Sequence, residues 1–356
     1  MIFSIIGTYV MQYSLISAIR CNSIRFRPSI QPVFCLISMI APFLCFTSAQ
    51  AQIIGQDITS ITTETVSFPT TSITNVAGDS EFAGSTFTLN FGGQIQSITG
   101  LTTTEGSTTF RSIPGFVQIR RNPTTDERKL AYYQGNFDSS SNTFNFLSVG
   151  PLTEKTLFSI NNILAGPDNV FTNTGANLAG TLYNGNASIE RLDFILVRPV
   201  KASKKIGFTV FERGLPTGHD GFGIAAITSV DKHGNPTSYG PIYVIAASTW
   251  GKTPLQDPIP QYYFLNNASK NNREIPINPA LTIPANQVLG GLLIPTDELV
   301  SYGKKVYGYS LFAPDVTCTP KTLLNVANSC FPTNTGTNGG IDLAAPNLGA
   351  VFLDSE

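Results

Sequence analysis

The chain contains two histidines, His219 and His233, and any histidine-based metal centre or catalytic triad would depend on them. They flank the apolar run FGIAAITSV (222–230), which has the composition of a strand. At about 3.3 Å per residue, such a strand would hold the two histidines roughly 30 Å apart. The spacing therefore argues against a shared metal ion or proton relay. His233 lies in a turn sequence, and we expect it to be a solvated turn residue.

His219 has the more suggestive surroundings, because it stands beside Asp220 in the glycine-rich segment GLPTGHDGFG (214–223). Loops at the end of a sheet often carry binding residues. We therefore take His219 and Asp220 as ligand-binding candidates. The alternative is a structural loop, since its glycines are already explained by backbone conformation.

Aromatic residues suggest a second binding mode, in which rings stack on sugars. The candidates are the lone Trp250 and the clusters Tyr132–Tyr133 and Tyr262–Phe264. The alternative is that these rings form core on one face of a strand and ordinary surface on the other.

Calcium is the ion that the sequence fits best, because hard oxygen ligands come from Asp, Asn and loop carbonyls. The segment AGPDNVFTNTGANLAG (165–180) supplies Asp168, Asn169 and Asn173 as candidate ligands. The alternative is a turn-rich connection in which the Asn side chains form Asx-turns. We expect no other cofactor.

Few residue patterns typical of an enzyme active site occur in the sequence. No G-x-S-x-G nucleophile motif occurs. A paired-carboxylate glycosidase could use acids that are close in sequence, namely Glu190, Asp193, Glu212 and Asp220. These acids could equally neutralise nearby arginines at the rim of a sheet. We therefore predict that the chain is not an enzyme.

The N-terminus resembles a targeting segment. Residues 1–51 contain no Asp or Glu, and an apolar stretch from Val33 to Phe46 precedes the small-residue sequence TSAQAQ. The pattern predicts a signal peptide cleaved after Ala51 and a secreted or cell-surface protein. The alternative is an uncleaved anchor, although an apolar run broken by Pro42 is short for a bilayer.

Two of the five cysteines, Cys318 and Cys330, follow this leader. In an exported protein they predict one disulfide, and two free buried thiols are the alternative. No Cys/His pattern typical of zinc or of thiol redox chemistry is present.

The whole chain is only 13% charged, with a formal net charge of −1. The leader removes three basic residues and no acidic ones, which makes the remainder mildly acidic. A chain without a net basic field is not expected to bind nucleic acid.

Gly and Pro punctuate the sequence throughout, and between them lie short runs rich in Val, Ile, Thr, Phe and Tyr. This pattern predicts an all-β fold, an antiparallel β-sandwich of jelly-roll or immunoglobulin-like type. We expect two packed sandwich units, residues 52–200 and 201–356, divided near the basic run RPVKASKK (198–205), with the Cys318–Cys330 loop in the second. This run could equally be a long hairpin connection between two strands. A single large sandwich is the alternative. Short helices are expected only at 154–164 and 284–293.

Several phrases of strand, turn and strand resemble a known module: GPDNVFTNTG, ASIERLDFI, GFTVFERG, HDGFGIAAITSVDKHGNPTSYGP and GYSLFAPDV. They are similar to an N-terminal module of large exported, adhesin-like surface proteins of Bacteroidetes-type bacteria, over roughly residues 53–352. The resemblance implies a β-rich exported module and assigns no residue a role. The chain ends without the repeat array or sorting domain usual in such proteins, so we expect either a stand-alone domain or part of a longer protein.

Together these features predict an exported, non-enzymatic protein with an interaction or adhesion role, whose partner is an extracellular protein or a glycan. The alternative is a carbohydrate-binding module or a carbohydrate-active enzyme.

Overall fold

The structure is a computed structural model that describes most of the chain after residue 53. Residues 49–356 form one compact unit. The expected signal peptide, residues 1–51, lies outside the described part. The described ranges are 54–77, 84–113, 115–122, 130–146, 165–167, 170–171, 189–214, 218–255, 262–266, 277–282, 288–336, 340–344 and 351–354.

The described residues are almost entirely β-structure, which confirms the predicted all-β class. The helices are α1 (Thr296–Leu299) and a 3-10 helix (Thr322–Leu324). The strands are β1 Gln56–Ala77, β2 Thr86–Thr103, β3 Gly106–Ser112, β4 Gly115–Arg121, β5 Leu130–Asp138, β6 Thr143–Phe146, β7 Ala165–Pro167, β8 Ile189–Lys201, β9 Ile206–Gly214, β10 Phe222–Val230, β11 Pro236–Ile245, β12 Tyr262–Asn266, β13 Ile277–Thr282, β14 Val288–Pro295, β15 Lys305–Phe312, β16 Leu343–Ala344 and β17 Val351–Asp354.

The strands form two sheets. The smaller sheet has the order β11-β10-β15-β8-β4, and all its neighbours are antiparallel. In the larger sheet, β1 pairs with β14 at its start and with β2 along the rest of its length. The order β1-β14-β9-β17-β3-β2 therefore closes on itself. Beyond β2 the sheet continues through β6, β5, β12 and β13, and β6 runs parallel to β2.

Alternation along β9 explains how the sheets pack. Phe208 and Val210 point towards the smaller sheet and belong to the main core, whereas Phe211 is buried on the opposite face. The ring centroids of Phe208 and Tyr309 lie 4.4 Å apart, and those of Tyr309 and Phe194 lie 4.7 Å apart. Tyr309 thus joins the two sheets through the centre of the core.

The expected division into two sandwich units at residue 200 does not match the strand pairing. β4 and β8 precede residue 201 or end at it, yet they share the smaller sheet with β10, β11 and β15. β9 and β14 likewise pair into a sheet with β1 and, through β17, with β3. Both halves of the chain therefore contribute to both sheets.

The helix expected at 284–293 is wrong, because the described part of that segment is strand β14. Gly290 and Gly291 weaken any helix there. In the strand each glycine makes room for a ring: a Cβ at position 290 would lie 2.2 Å from His219 Nε2, and one at position 291 would lie 2.9 Å from Phe211. The other expected helix, 154–164, lies outside the described residues.

The cysteine pair is confirmed. Cys318 and Cys330 are at disulfide distance, with their Cα atoms 4.8 Å apart. The segment that they close packs with the core through Val316, Leu323 and Phe331. The 3-10 helix contacts β11, and the carbonyl of Leu323 accepts a hydrogen bond from Arg191 of β8. The disulfide loop therefore covers one face of the smaller sheet.

Candidate functional site

The loop between β9 and β10 places the His219 ring against the backbone of two glycines, Gly251 and Gly290. A Cβ on Gly290 would lie 2.2 Å from Nε2 of His219, and one on Gly251 would lie 2.7 Å from Nδ1. These positions lack side chains, so the imidazole can lie directly on strand β14. The His219 carbonyl accepts a hydrogen bond of 2.8 Å from the Ser248 N–H, which ties this loop to the one after β11. His219 is only 2% exposed.

Burial lowers the pKa of His219, because a protonated imidazole would lose its hydration. The carbonyls of Val288 and Glu212 and the carboxylate of Asp57 oppose this shift without cancelling it. Neither ring nitrogen makes a hydrogen bond of good geometry with a described residue. His219 is therefore a packed side chain whose burial favours the neutral form, and its nitrogens abut glycine backbone instead of an opening where a ligand could bind.

Glu212 and Asp220 form a carboxyl pair beside this histidine. Glu212 is fully buried; its Oε2 accepts the Asp220 N–H at 2.8 Å, and its Oε1 accepts the Asp342 N–H at 3.3 Å. Burial and then the charge of Asp220 raise the pKa of Glu212 well above its usual value. Burial also raises the pKa of Asp220, although its hydrogen bond to Glu212 opposes the shift. Two carboxyl groups with raised pKa values therefore lie close together, joined by the Asp220 N–H.

Trp250 seals this cluster. Its Nε1 donates to the Asp220 carbonyl at 2.9 Å, and its ring centroid lies 5.3 Å from that of His219. The structure therefore brings the three predicted residues His219, Asp220 and Trp250 together. Trp250 is 2% exposed, however, so it cannot be a surface platform for sugars, as the sequence suggested.

The tyrosine clusters lie on neighbouring strands. β5 and β12 pair antiparallel, with Tyr133 opposite Tyr263 and Tyr132 opposite Phe264. The two clusters therefore meet at backbone level. Their side chains lie outside the described part, and the stacking hypothesis stays a prediction for them.

A second buried polar network centres on Asp193 of β8. Its carboxylate pairs with Arg191 at 2.6 Å and Arg120 at 2.7 Å, and it accepts hydrogen bonds from Ser310 at 2.6 Å and Tyr239 at 3.1 Å. Burial alone would raise the pKa of Asp193, but these partners lower it. Asp193 is thus a fully satisfied structural acid under the disulfide loop.

Glu190, at the start of the same strand, behaves differently. Burial and the nearby charge of Asp315 raise the pKa of Glu190 to about 7. Asp315 itself accepts hydrogen bonds from the Thr335 hydroxyl. The acids that the sequence grouped as possible glycosidase carboxylates therefore lie in separate environments, except for Glu212 and Asp220.

Within the described ranges, no group of three or more His, Cys, Asp or Glu side chains could hold a metal ion. The predicted calcium ligands Asp168, Asn169 and Asn173 lie outside those ranges, and calcium there stays a prediction. His233 lies in the exposed β10–β11 turn, as predicted, where its N–H donates to Asp231 at 2.8 Å. The two histidines thus lie beyond opposite ends of β10.

Among the described residues, an open groove of about 570 Å³ lies between the sheet edge at β11 and the segment that runs from α1 into β15. Its walls combine apolar, hydroxyl-bearing and charged side chains. They are Thr228, Pro241, Tyr243, Asp297, Glu298, Leu299, Val300, Ser301, Lys304 and Lys305. Tyr302, in the same turn as Ser301, is 78% exposed. We call this feature the β11 groove.

Sequence reasoning missed this groove, although part of its signal was visible. The basic run 198–205 favours a boundary between domains, and the second basic run, Gly303–Lys305, is too short to indicate a site by itself. Neither run shows by itself that strand pairing places the two side by side. That information comes from the register of β8 with β15, in which Lys201 lies opposite Lys305.

In comparisons with known proteins, no family model, curated protein or solved structure matches the chain. The fold defines an all-β protein of two sheets, with sealed polar clusters inside and a groove at one sheet edge. In the described residues, no helix has the length and apolar character needed to cross a bilayer.

Proposed function

We propose that the chain is an exported, non-enzymatic interaction protein, secreted or held at the cell surface, that binds its partner in the β11 groove. The observation that carries this proposal is the contrast between the groove and the polar clusters. The groove is open and lined by varied side chains, whereas Glu212, His219 and Asp193 are 2% exposed or less.

Two further features support export. The N-terminal segment has the composition of a signal peptide. The Cys318–Cys330 pair is at bonding distance, and disulfides persist mainly in oxidising compartments. The resemblance to adhesin-like surface modules points the same way, and an extracellular protein or a glycan is the partner class that we propose.

A binding screen of the purified chain against glycan and matrix-protein arrays, with and without calcium, tests the proposal. We expect at least one ligand whose binding is abolished by Ser301→Trp, which would fill the groove. Thr333→Trp, at an exposed position away from the groove, is the matched control and should bind normally. Binding that both variants retain would place the site elsewhere, and no binding at all would contradict the interaction role.

A carbohydrate-active enzyme is the second candidate, and the Glu212–Asp220 pair is the observation in its favour, since glycosidases use two carboxyl groups. Reducing-end release from an oligosaccharide panel would test it. Hydrolysis that Asp220→Asn abolishes would support the enzyme. The buried position of Glu212 leads us to expect no hydrolysis.

A further inference from the structure

We propose that the β11 groove binds an acidic polysaccharide, a chain of sugars that bear carboxylate or sulfate groups. The inference rests on the proposed function and specifies the class of ligand. It starts from a cluster of lysines at one end of the molecule, which we call the lysine patch: Lys201, Lys204, Lys205, Lys304 and Lys305.

Two chain segments build the lysine patch. Lys201 at the end of β8 lies opposite Lys305 at the start of β15. The N–H of Ala202 donates to the carbonyl of Lys304 at 2.8 Å, and the N–H of Gly303 donates to the carbonyl of Ala202 at 2.8 Å. These bonds hold the two segments side by side.

The remaining lysines, Lys204 and Lys205, lie in the turn between β8 and β9. Ser203 in that turn exchanges hydrogen bonds with the Thr296 hydroxyl, at 2.9 and 3.1 Å, which fixes the turn beside α1. All five lysines are exposed. The patch therefore gathers five of the chain's 22 basic residues on segments that hydrogen bonds hold together.

Lys201 and Lys305 carry like charges at directly opposite positions of paired strands and repel each other, which is destabilising. None of the five lysines forms an ion pair with a described residue. An anionic ligand would relieve this repulsion. Lys304 and Lys305 also line the β11 groove, so the groove and the patch are continuous.

The rest of the groove suits a sugar. Thr228, Tyr243 and Ser301 contribute hydroxyl groups. Asp297, whose Oδ1 is buried without a hydrogen-bond partner among the described residues, also lines the groove. The exposed ring of Tyr302 offers an apolar face with a polar tip, the combination on which sugar rings stack.

The acidic residues nearby favour a chain over a membrane surface. Asp297 and Glu298 line the groove together with Lys304 and Lys305. Burial raises the pKa of Glu298, and the Gly55 N–H and Lys204 oppose the shift. An anionic bilayer would press its headgroups against the acids as well as the lysines, whereas a single polysaccharide chain can place its anionic groups at the lysines and its hydroxyl groups at the acids.

Titration calorimetry of the full chain with alginate, heparin and neutral dextran tests the proposal. We expect binding to at least one acidic polymer, weaker at 200 mM than at 50 mM salt because the charges are exposed, and no binding to dextran. The double variant Lys304→Gln/Lys305→Gln should weaken binding at least tenfold, and Tyr302→Ser should weaken it without changing its salt dependence.

The matched control is Lys252→Gln/Lys321→Gln, which removes the same charge from exposed positions outside the patch. If both double variants lose the same affinity for the acidic polymer, the effect comes from net charge alone and the proposed site is wrong. Binding to vesicles that contain anionic phosphatidylglycerol as tight as that to the polymers would overturn the polysaccharide assignment. If neither polymer binds but another ligand binds in the groove, the inference fails and the proposed function stands; failure of every ligand contradicts both.

Discussion

The position of His219, a ligand-binding candidate from the sequence, is determined by the glycines around it. Three glycines, Gly214, Gly251 and Gly290, leave the space that its ring fills. The histidine that attracted attention in the sequence is thus a packing residue, and the glycines around it are the condition for its burial.

Gly290→Ala tests this arrangement. The added Cβ would lie 2.2 Å from Nε2 of a buried ring that cannot move away, so we expect a loss of about 1–3 kcal/mol in the free energy of unfolding. In a His219→Ala background the same change should cost much less, because the ring is gone. Urea unfolding of the four proteins in this double-mutant cycle measures the difference, and equal costs in both backgrounds would show that the clash does not exist.

Asp220→Asn tests the carboxyl pair. The folded-state pKa values of both Glu212 and Asp220 are raised, so the folded protein binds more protons and loses stability as pH rises above the usual carboxyl range. Asparagine removes one charge and can donate to Glu212. We expect the variant to gain stability relative to the parent from pH 4.5 to pH 8, by about 1 kcal/mol at pH 8.

Thermal unfolding as a function of pH measures this gain. Asp231→Asn is the control, and its effect on stability should change with pH in the opposite direction. Hydrogen bonds from Asn235 lower the pKa of Asp231 in its exposed turn. Its carboxylate stabilises the fold above the usual pKa, and that contribution is lost as pH falls. A difference between Asp220→Asn and the parent that does not change with pH would contradict the raised pKa values of the pair.

At the scale of elements, the disulfide loop has a covering role. It closes over the face of the smaller sheet where Asp193 and Arg191 are buried, and Leu323 at its centre is fully buried. Arg191 donates to the Leu323 carbonyl, so opening the loop would expose the network as well as the apolar contacts.

Cys318→Ser/Cys330→Ser should therefore lower the free energy of unfolding by about 3 kcal/mol, mainly through the entropy of a loop of this length. Guanidinium unfolding with and without reductant measures it: the parent should lose a similar amount on reduction, and the variant should be insensitive. A variant as stable as the oxidised parent would show that the loop holds its place without the covalent link.

Secondary-structure elements with a strong local sequence signal were predicted correctly from the sequence. The prediction failed for a segment whose conformation depends on tertiary contacts. Run 222–230 matches β10, and the turn with Gly234 at φ 84° reverses the chain into β11. The helix predicted at 284–293 is wrong because Gly290 and Gly291 leave space for the rings of His219 and Phe211, which come from other segments of the chain. For the site, sequence reasoning selected His219, Asp220 and Trp250, which do meet, but it could not show that they are sealed.

At the scale of the whole molecule, strand pairing between distant segments is what local patterns cannot specify. The division at residue 200 was inferred from a basic run, yet β8 leads directly through that run into β9 in the other sheet. Three of the five lysines of the lysine patch belong to this run, and the pairing of β15 with β8 brings Lys304 and Lys305 beside them. The expected division and the lysine patch that the sequence did not indicate therefore have one cause, which is pairing between distant strands.

The pairing predicts that neither half of the chain folds by itself. In a fragment of residues 201–356, β15 would lose β8, β14 would lose β1 and β17 would lose β3. The exposed apolar core faces should prevent a cooperative transition, because the main core contains buried residues from both halves. Near-ultraviolet circular dichroism and dye binding during urea unfolding measure this for 201–356 and for 52–200. We expect native signals only when the two fragments are mixed, and a cooperative transition in either fragment alone would restore the two-domain interpretation.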